Sequence, residues 1–163
     1  MTSIDQAFKL AMRRLAASVN IVTMAGPQGP LGMAATAVCS LSTQPASLLV
    51  CVNTSASMHA DLTATEAFRI AILHQDQQAI AGVFADPDRK AERFAGPHWR
   101  FDAAGIPLLE NAQASILCKR DATFAYGTHS IIVGRVDSIE MRDDVSPLAW
   151  CDGRFATVHP VHP

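Results

Sequence analysis

Residues 31–57 read LGMAATAVCSLSTQPASLLVCVNTSAS, and the reading of this stretch decides the fold. Two apolar, β-prone runs, Leu31 to Leu41 and Ser47 to Asn53, are separated only by Ser42-Thr43-Gln44-Pro45. A connection that short joins antiparallel neighbours, because a parallel crossover needs a dozen or more residues. Outward from it the same grammar continues. Val19 to Met24 alternates like a strand and ends in the turn chemistry of Ala25-Gly26-Pro27-Gln28-Gly29-Pro30. Phe68 to Leu73, Leu108 to Arg120, Ser130 to Met141 and Ala149 to Val158 supply further strands, six or seven in all. Helical spacing falls at Ile4, Phe8, Ala11, Met12 and Leu15, a helix expected to end near Ala17. It recurs over Met58 to Ala67, Gln75 to Ala85 and Asp88 to Ala95, and His98 to Pro107 reads as a loop. Strand–helix–strand alternation is scarce, so a doubly wound parallel sheet is disfavoured. The expectation is a mainly β fold with inserted helices, a closed or nearly closed antiparallel barrel forming one domain over residues 1–163.

Composition narrows the function classes. The chain has 163 residues, 17% of them charged, with a formal net charge of −2. Scattered Lys and Arg do not make the basic face that nucleic acid requires. No apolar run reaches the roughly 18–20 residues that span a bilayer, and the first residues lack the pattern of a secretory signal. Cys39, Cys51, Cys118 and Cys151 show no Cys-x-x-Cys spacing and read as reduced, buried packing residues, so a cytoplasmic chain is expected. The low charge also points to apolar surface covered by another subunit.

Two segments carry candidate chemistry. In Ala34-Ala35-Thr36-Ala37, side chains too small to block a flat ring stand beside backbone groups that can bond its carbonyl oxygens and nitrogens. The same run also suits a strand packed closely on a helix. Asn53-Thr54-Ser55-Ala56-Ser57 ends a strand in short hydroxylated residues before a helix expected from Met58 or His59. That is ordinary capping chemistry, and it is also how amides and hydroxyls hold a phosphate. A ring ledge followed by a phosphate cradle reads as a site for a phosphorylated aromatic cofactor.

Other motifs say less. Gly26, Gly29 and Gly32 do not spell a dinucleotide fingerprint and read as a hairpin turn. His129, in Tyr126-Gly127-Thr128-His129, enters a strand as a structural hydrogen-bonder or as a polar group at the barrel mouth. Phe84, Phe94 and Trp99 read as core before cofactor wall. Asp86, Asp88, Arg89, Lys90, Glu92 and Arg93 read as a solvated helix face, and His159 to Pro163 as a frayed end rather than a metal site. No metal site is expected.

Several segments in the same order resemble the flavin reductase-like family of split barrels. They are Ala17-Ser18-Val19-Asn20-Ile21-Val22-Thr23, Ala35-Thr36-Ala37-Val38-Cys39-Ser40, Val50-Cys51-Val52-Asn53, Ser55-Ala56-Ser57, Phe84-Ala85 and Gly127-Thr128-His129. The chain is similar to the reductase partners of two-component flavin monooxygenases, such as the 4-hydroxyphenylacetate hydroxylase reductase and the pyrimidine-degradation reductase. The resemblance covers about Phe8 to Phe155. It implies an antiparallel split β-barrel of FMN-binding type, working as a homodimer in which NADH or NADPH reduces FMN or FAD for a separate oxygenase. By that likeness the backbone of Ala34, Ala35, Thr36 and Ala37 holds the isoalloxazine. Asn53, Thr54, Ser55 and Ser57 hold the ribityl chain and phosphate. Phe84, Ala85 and Arg89 close the pocket, and His129 and Arg154 face the nicotinamide nucleotide. Ala34 departs from the family, which commonly carries Thr there, so one hydroxyl contact to the ring is missing. The rival readings are a flavin carrier without nicotinamide turnover, and an enzyme that keeps its flavin and reduces another acceptor.

Overall fold

The computed structural model describes residues 3–159 and 161. The last-named terminal stretch is therefore described only at His159 and Val161; Pro160, His162 and Pro163 lie outside the described residues, as do Met1 and Thr2. The chain opens with α1 (Ile4–Met12), started by a capping box in which Ser3 Oγ accepts from the Gln6 amide and Gln6 Oε1 accepts from the Ser3 amide. The helix ends five residues earlier than its apolar spacing suggests, because Ala17–Ser18 is drawn into a short strand, β1. Then follow β2 (Asn20–Gly26), β3 (Gly29–Ala35), β4 (Val38–Thr43), β5 (Ala46–Asn53), α2 (His59–Ala64) and β6 (Ala67–Ile72). After α3 (Gln78–Ala85) and a 3-10 segment at Pro87–Glu92 come β7 (Trp99–Phe101), β8 (Pro107–Leu109), β9 (Ala114–Tyr126), β10 (His129–Met141), β11 (Leu148–Cys151) and β12 (Arg154–Thr157).

Seven strands form one antiparallel sheet in the order β3-β2-β6-β9-β10-β5-β4. Its two edges are consecutive in sequence, yet β3 and β4 do not pair among the described residues. The sheet nonetheless curls on itself. Val22 and Met24 of β2 share one buried cluster with Val50 and Val52 of β5, although three strands separate them in the sheet. Phe68, Ile70, Cys118 and Ile132 complete that interior, and Met58 and Leu62 of the α2 segment pack on it. This is a barrel split along one seam. A second cluster lies outside the barrel wall, where Val19, Ile21, Ala71 and Leu73 meet Ala81, Phe84 and Leu148.

Several sequence readings change: Asp88 to Ala95, read as a helix, holds only a 3-10 segment, and His98 to Pro107, read as a loop, contains strand β7. Leu31 to Leu41 is two strands, because the chain bends at Thr36–Ala37 to pass from one edge to the other. Leu108 to Arg120 also divides: Asn111 turns with φ 56°, and the strand that follows runs on to Tyr126. The expected last strand is a hairpin whose turn, Asp152-Gly153, takes φ 49° and 78°. That left-handed pair is the backbone of a tight two-residue hairpin, and Asp-Gly is the dipeptide that tolerates it. Replacing the fully buried Phe68 by Ala should destabilise the barrel by about 3–5 kcal/mol, read from the denaturant midpoint.

Candidate functional site

The bend at Thr36–Ala37 forms one wall of a cleft of about 190 Å³. Ala34, Ala35 and Thr36 line that wall, and Ala81 and Ala85 of α3 line the opposite one. These alanines are one helical turn apart on α3, so both face the cleft. Trp150 and Phe155 of the β11–β12 hairpin close the end, stacked edge to face with centroids 5.0 Å apart. The run of small residues is thus both things the sequence allowed, a strand packed on a helix and an open ledge.

The ledge is fixed by polar groups around it. Asn20 is fully buried, and its Nδ2 donates to Ala35 O at 3.1 Å and Ser18 O at 3.0 Å. The Cys51 amide donates to Ala37 O at 2.9 Å, tying the bend to β5 two residues before Asn53. The bend is therefore fastened to the strand that leads into the cradle, next to the β4–β5 ladder. Burial, followed by the nearby Cys39 thiol, pushes the Cys51 thiol up, so it stays uncharged there.

Within the cradle the donors divide. Asn53 Oδ1 accepts from the Ser55 amide at 2.9 Å and the Ser55 hydroxyl at 2.8 Å, closing an Asx turn. Thr54 donates its amide and its hydroxyl to Thr128 O. The Ser57 hydroxyl and the amides of Ser57 and Met58 make no hydrogen bond within the chain among the described residues. Together with Asn53 Nδ2, which also has no partner among the described residues, they are the free donors of this loop. The expected N-cap is different: α2 starts after Met58, which makes no side-chain cap bond, and the helix is only six residues long. Loop amides, rather than a helix dipole, provide the positive potential here.

His129 lies beside this loop. It pairs with Asn53 of β5 on one side and Tyr126 of β9 on the other, so the three side chains share one sheet face. Its Nδ1 is 3.0 Å from Thr128 Oγ1, and the ring is exposed.

Three predicted site residues stand apart from the ledge. Phe84 is buried in a triad with Phe94 and Trp99, at centroid distances of 5.5 and 5.6 Å, on the core side of α3. Arg89 forks onto Glu92 at 3.1 and 2.7 Å beside a different cavity, lined by Ile80 and Val83 on another face of α3. Arg154 is exposed, 3.5 Å from Asp152, in the hairpin row next to Trp150 and Phe155 and on its opposite face. Sequence reasoning passed over Asn20, Ala81, Trp150 and Phe155. A lone amide in the apolar run Val19 to Met24 marked the first, and Asp152-Gly153 marked the hairpin that carries the last two.

A seam-split antiparallel barrel, with an apolar slot and a donor-rich loop on one rim, is an architecture for holding a flat ring that bears an anionic tail. The chain belongs to the flavin reductase like domain family, whose model matches residues 12–159. It is 39% identical over 151 residues to an FMN reductase (NADH), RutF, of Cronobacter sakazakii, covering 93% of this chain and 91% of that one. It is 35% identical over 159 residues to the reductase component of an FADH(2)-dependent resorcinol hydroxylase of a Rhizobium species, covering 96% and 89%. Among solved structures, the NADH:FAD oxidoreductase SgcE6 of Streptomyces globisporus, in complex with NAD and FAD fragments, superposes with a TM-score of 0.89 at 28% identity over 98% of this chain and 97% of that one. Replacing Asn20 by Ala should cost about 1–3 kcal/mol of stability, measured by denaturant unfolding, because the buried carbonyls it serves lose their donor.

Proposed function

We propose that the protein is an NAD(P)H-dependent flavin reductase that reduces FMN or FAD and supplies the reduced flavin to a separate monooxygenase. The observation that supports the site is that the bend beside the alanine ledge is bonded to β5, the strand that runs into the loop whose Ser57 and Met58 donors are free. An apolar slot suits the faces of a ring, and unpaired amides and a hydroxyl suit a phosphate, so the donor set fits a flavin mononucleotide. When both are bound, nicotinamide and flavin supply the chemistry themselves: hydride passes from nicotinamide C4 to flavin N5.

The chain's own residues hold and orient. The backbone of Ala34 to Ala37 takes the ring edge, and Ala85 closes the slot. Ser57 and the amides of Ser57 and Met58 take the phosphate. Thr54 and Ser55 act mainly by shaping the loop, since their hydroxyls are engaged internally, and Asn53 shapes it through Oδ1 while its Nδ2 stays available to the ribityl chain or phosphate. His129 lies next to that loop and orients the nicotinamide nucleotide. Arg89 and Arg154 would need to swing from Glu92 and Asp152 to reach a ligand's outer phosphates. No acid–base pair is required, because the transferred atoms belong to the two nucleotides.

We also infer a homodimer and a cytoplasmic setting for the whole chain, 1–163, as one domain. α1 buries none of its residues, and Phe8 and Leu15 remain 61% and 63% exposed. Such a stripe is what a second copy covers. All four cysteines are free thiols, but only Cys118 is buried: Cys39 is exposed, and Cys51 and Cys151 are half-buried, contrary to the packing role expected of all four. No helix among the described residues is long and apolar enough to cross a membrane.

Steady-state loss of NADH absorbance that requires added FMN or FAD supports the reductase. Flavin binding without NADH oxidation would indicate a carrier, and turnover with a third acceptor but no added flavin would indicate a retained cofactor. Replacing Ser57 by Ala should weaken FMN about tenfold and riboflavin, which has no phosphate, far less. Equal losses for both ligands contradict the cradle. Replacing His129 by Ala should raise the NADH KM about 3–10-fold with flavin affinity retained, and unchanged kinetics would remove it from the site.

A further inference from the structure

The charge run Asp86 to Arg93 reads as a solvated face, and Arg93 leaves it. Its Nη1 donates to Gly32 O at 2.9 Å, and its Nη2 donates to Phe84 O at 3.2 Å. The guanidinium carbon lies 5.5 Å from the centre of the Phe84 ring, and Nε is buried without a partner among the described residues. Burial holds its pKa below the usual arginine value. An arginine remains charged through such a shift.

The two carbonyls it joins belong to opposite walls of the cleft. Gly32 lies on β3, two residues before Ala34. Phe84 lies in the last turn of α3, next to Ala85, where helix carbonyls lack intrahelical donors. Among the described residues no backbone hydrogen bond connects α3 to β3. What separates them is aromatic: a Cβ at position 32 would stand 2.6 Å from Phe84 Cε1 and 2.9 Å from Phe94 Cζ. Glycine lets both rings rest on the strand, and the fork fastens the far side. Wall spacing is thus set by ring packing and by one planar cation.

We infer that Arg93 is a positioning residue for the flavin ring, pinning α3 to β3 at the separation that keeps the slot between Ala34–Thr36 and Ala81–Ala85 open to a flat tricycle. The inference rests on the flavin reading above and extends it to a residue outside the slot. A lysine is a single point charge on a flexible stem and does not hold two carbonyls at a fixed angle. A clamp that served stability alone would have no reason to act on ring affinity.

The test uses wild type, Arg93→Lys and Arg93→Met, each checked for folding by thermal unfolding. Quenching of flavin fluorescence gives affinities for lumiflavin, which is the ring alone, and for riboflavin and FMN; steady-state kinetics give the NADH KM. The inference predicts that Arg93→Met weakens all three flavins about tenfold, leaves the FMN-to-riboflavin affinity ratio at the wild-type value, and changes the NADH KM by less than about twofold. Arg93→Lys should lose at least about threefold in lumiflavin affinity. Folded variants that melt lower but bind lumiflavin like wild type make the clamp merely structural and overturn the inference. If Arg93→Met does not fold, Arg93→Lys decides: wild-type lumiflavin affinity overturns it. Wild type that binds no flavin overturns the functional reading as well, whereas wild type that binds and turns over beside unaffected Arg93 variants overturns only the clamp.

Discussion

The structure depends on the unmade pairing between two edge strands. β3 and β4 are neighbours in sequence, and a hairpin between them would have closed the barrel. Instead the chain turns outward at Thr36–Ala37, and its carbonyls are taken by groups from elsewhere: Asn20 serves Ala35, and the Cys51 amide serves Ala37. Unpaired strand edges are a liability in most sheets. Here the seam is where the barrel can admit something flat, because the residues that border it are alanines and a threonine.

Two loosely related requirements meet at that seam. A ring wants dry, smooth walls, which Ala81, Ala85, Trp150 and Phe155 provide from a helix and a hairpin that the barrel itself does not need. A phosphate wants donors with nothing else to bond, which the short loop after β5 leaves at Ser57 and Met58. The internal bonds of Asn53, Thr54 and Ser55 are not wasted in this arrangement. They brace the loop before binding, which lowers the ordering cost that a ligand would otherwise meet. The donor count is small, which suits a flavin held at about micromolar strength and released after reduction.

Much of this was legible in the residues. The antiparallel topology followed from short connections, and both segments proposed to hold the ligand lay in the runs that end in Ala37 and Ser57. What periodicity could not give was the break at Thr36–Ala37, because a β-prone string continues through it and only the tertiary demand for a seam bends it. Turn and cap chemistry look alike in composition: Asn53 to Ser57 precede a helix that starts at His59, but Asn53 closes an Asx turn and Thr54 bonds Thr128 O, and no side chain caps the helix. Arg93 was invisible for a different reason. Its neighbours in sequence are solvated, while its partners, Gly32 and Phe84, are distant along the chain or hidden in a helix end. No local pattern records such a bond. Phe84 is buried, as the core reading of its apolar run expects.

The central claim is that a flavin lies in the slot between the Ala34–Thr36 ledge and α3, with its phosphate at the loop after β5. A crystal structure of the protein soaked with FMN tests it most directly. The account predicts ring density between Ala34–Thr36 and Ala81–Ala85, with the phosphate in hydrogen-bond reach of the Ser57 and Met58 amides. Density for the ring in any other cavity, or a phosphate bound away from that loop, would contradict it.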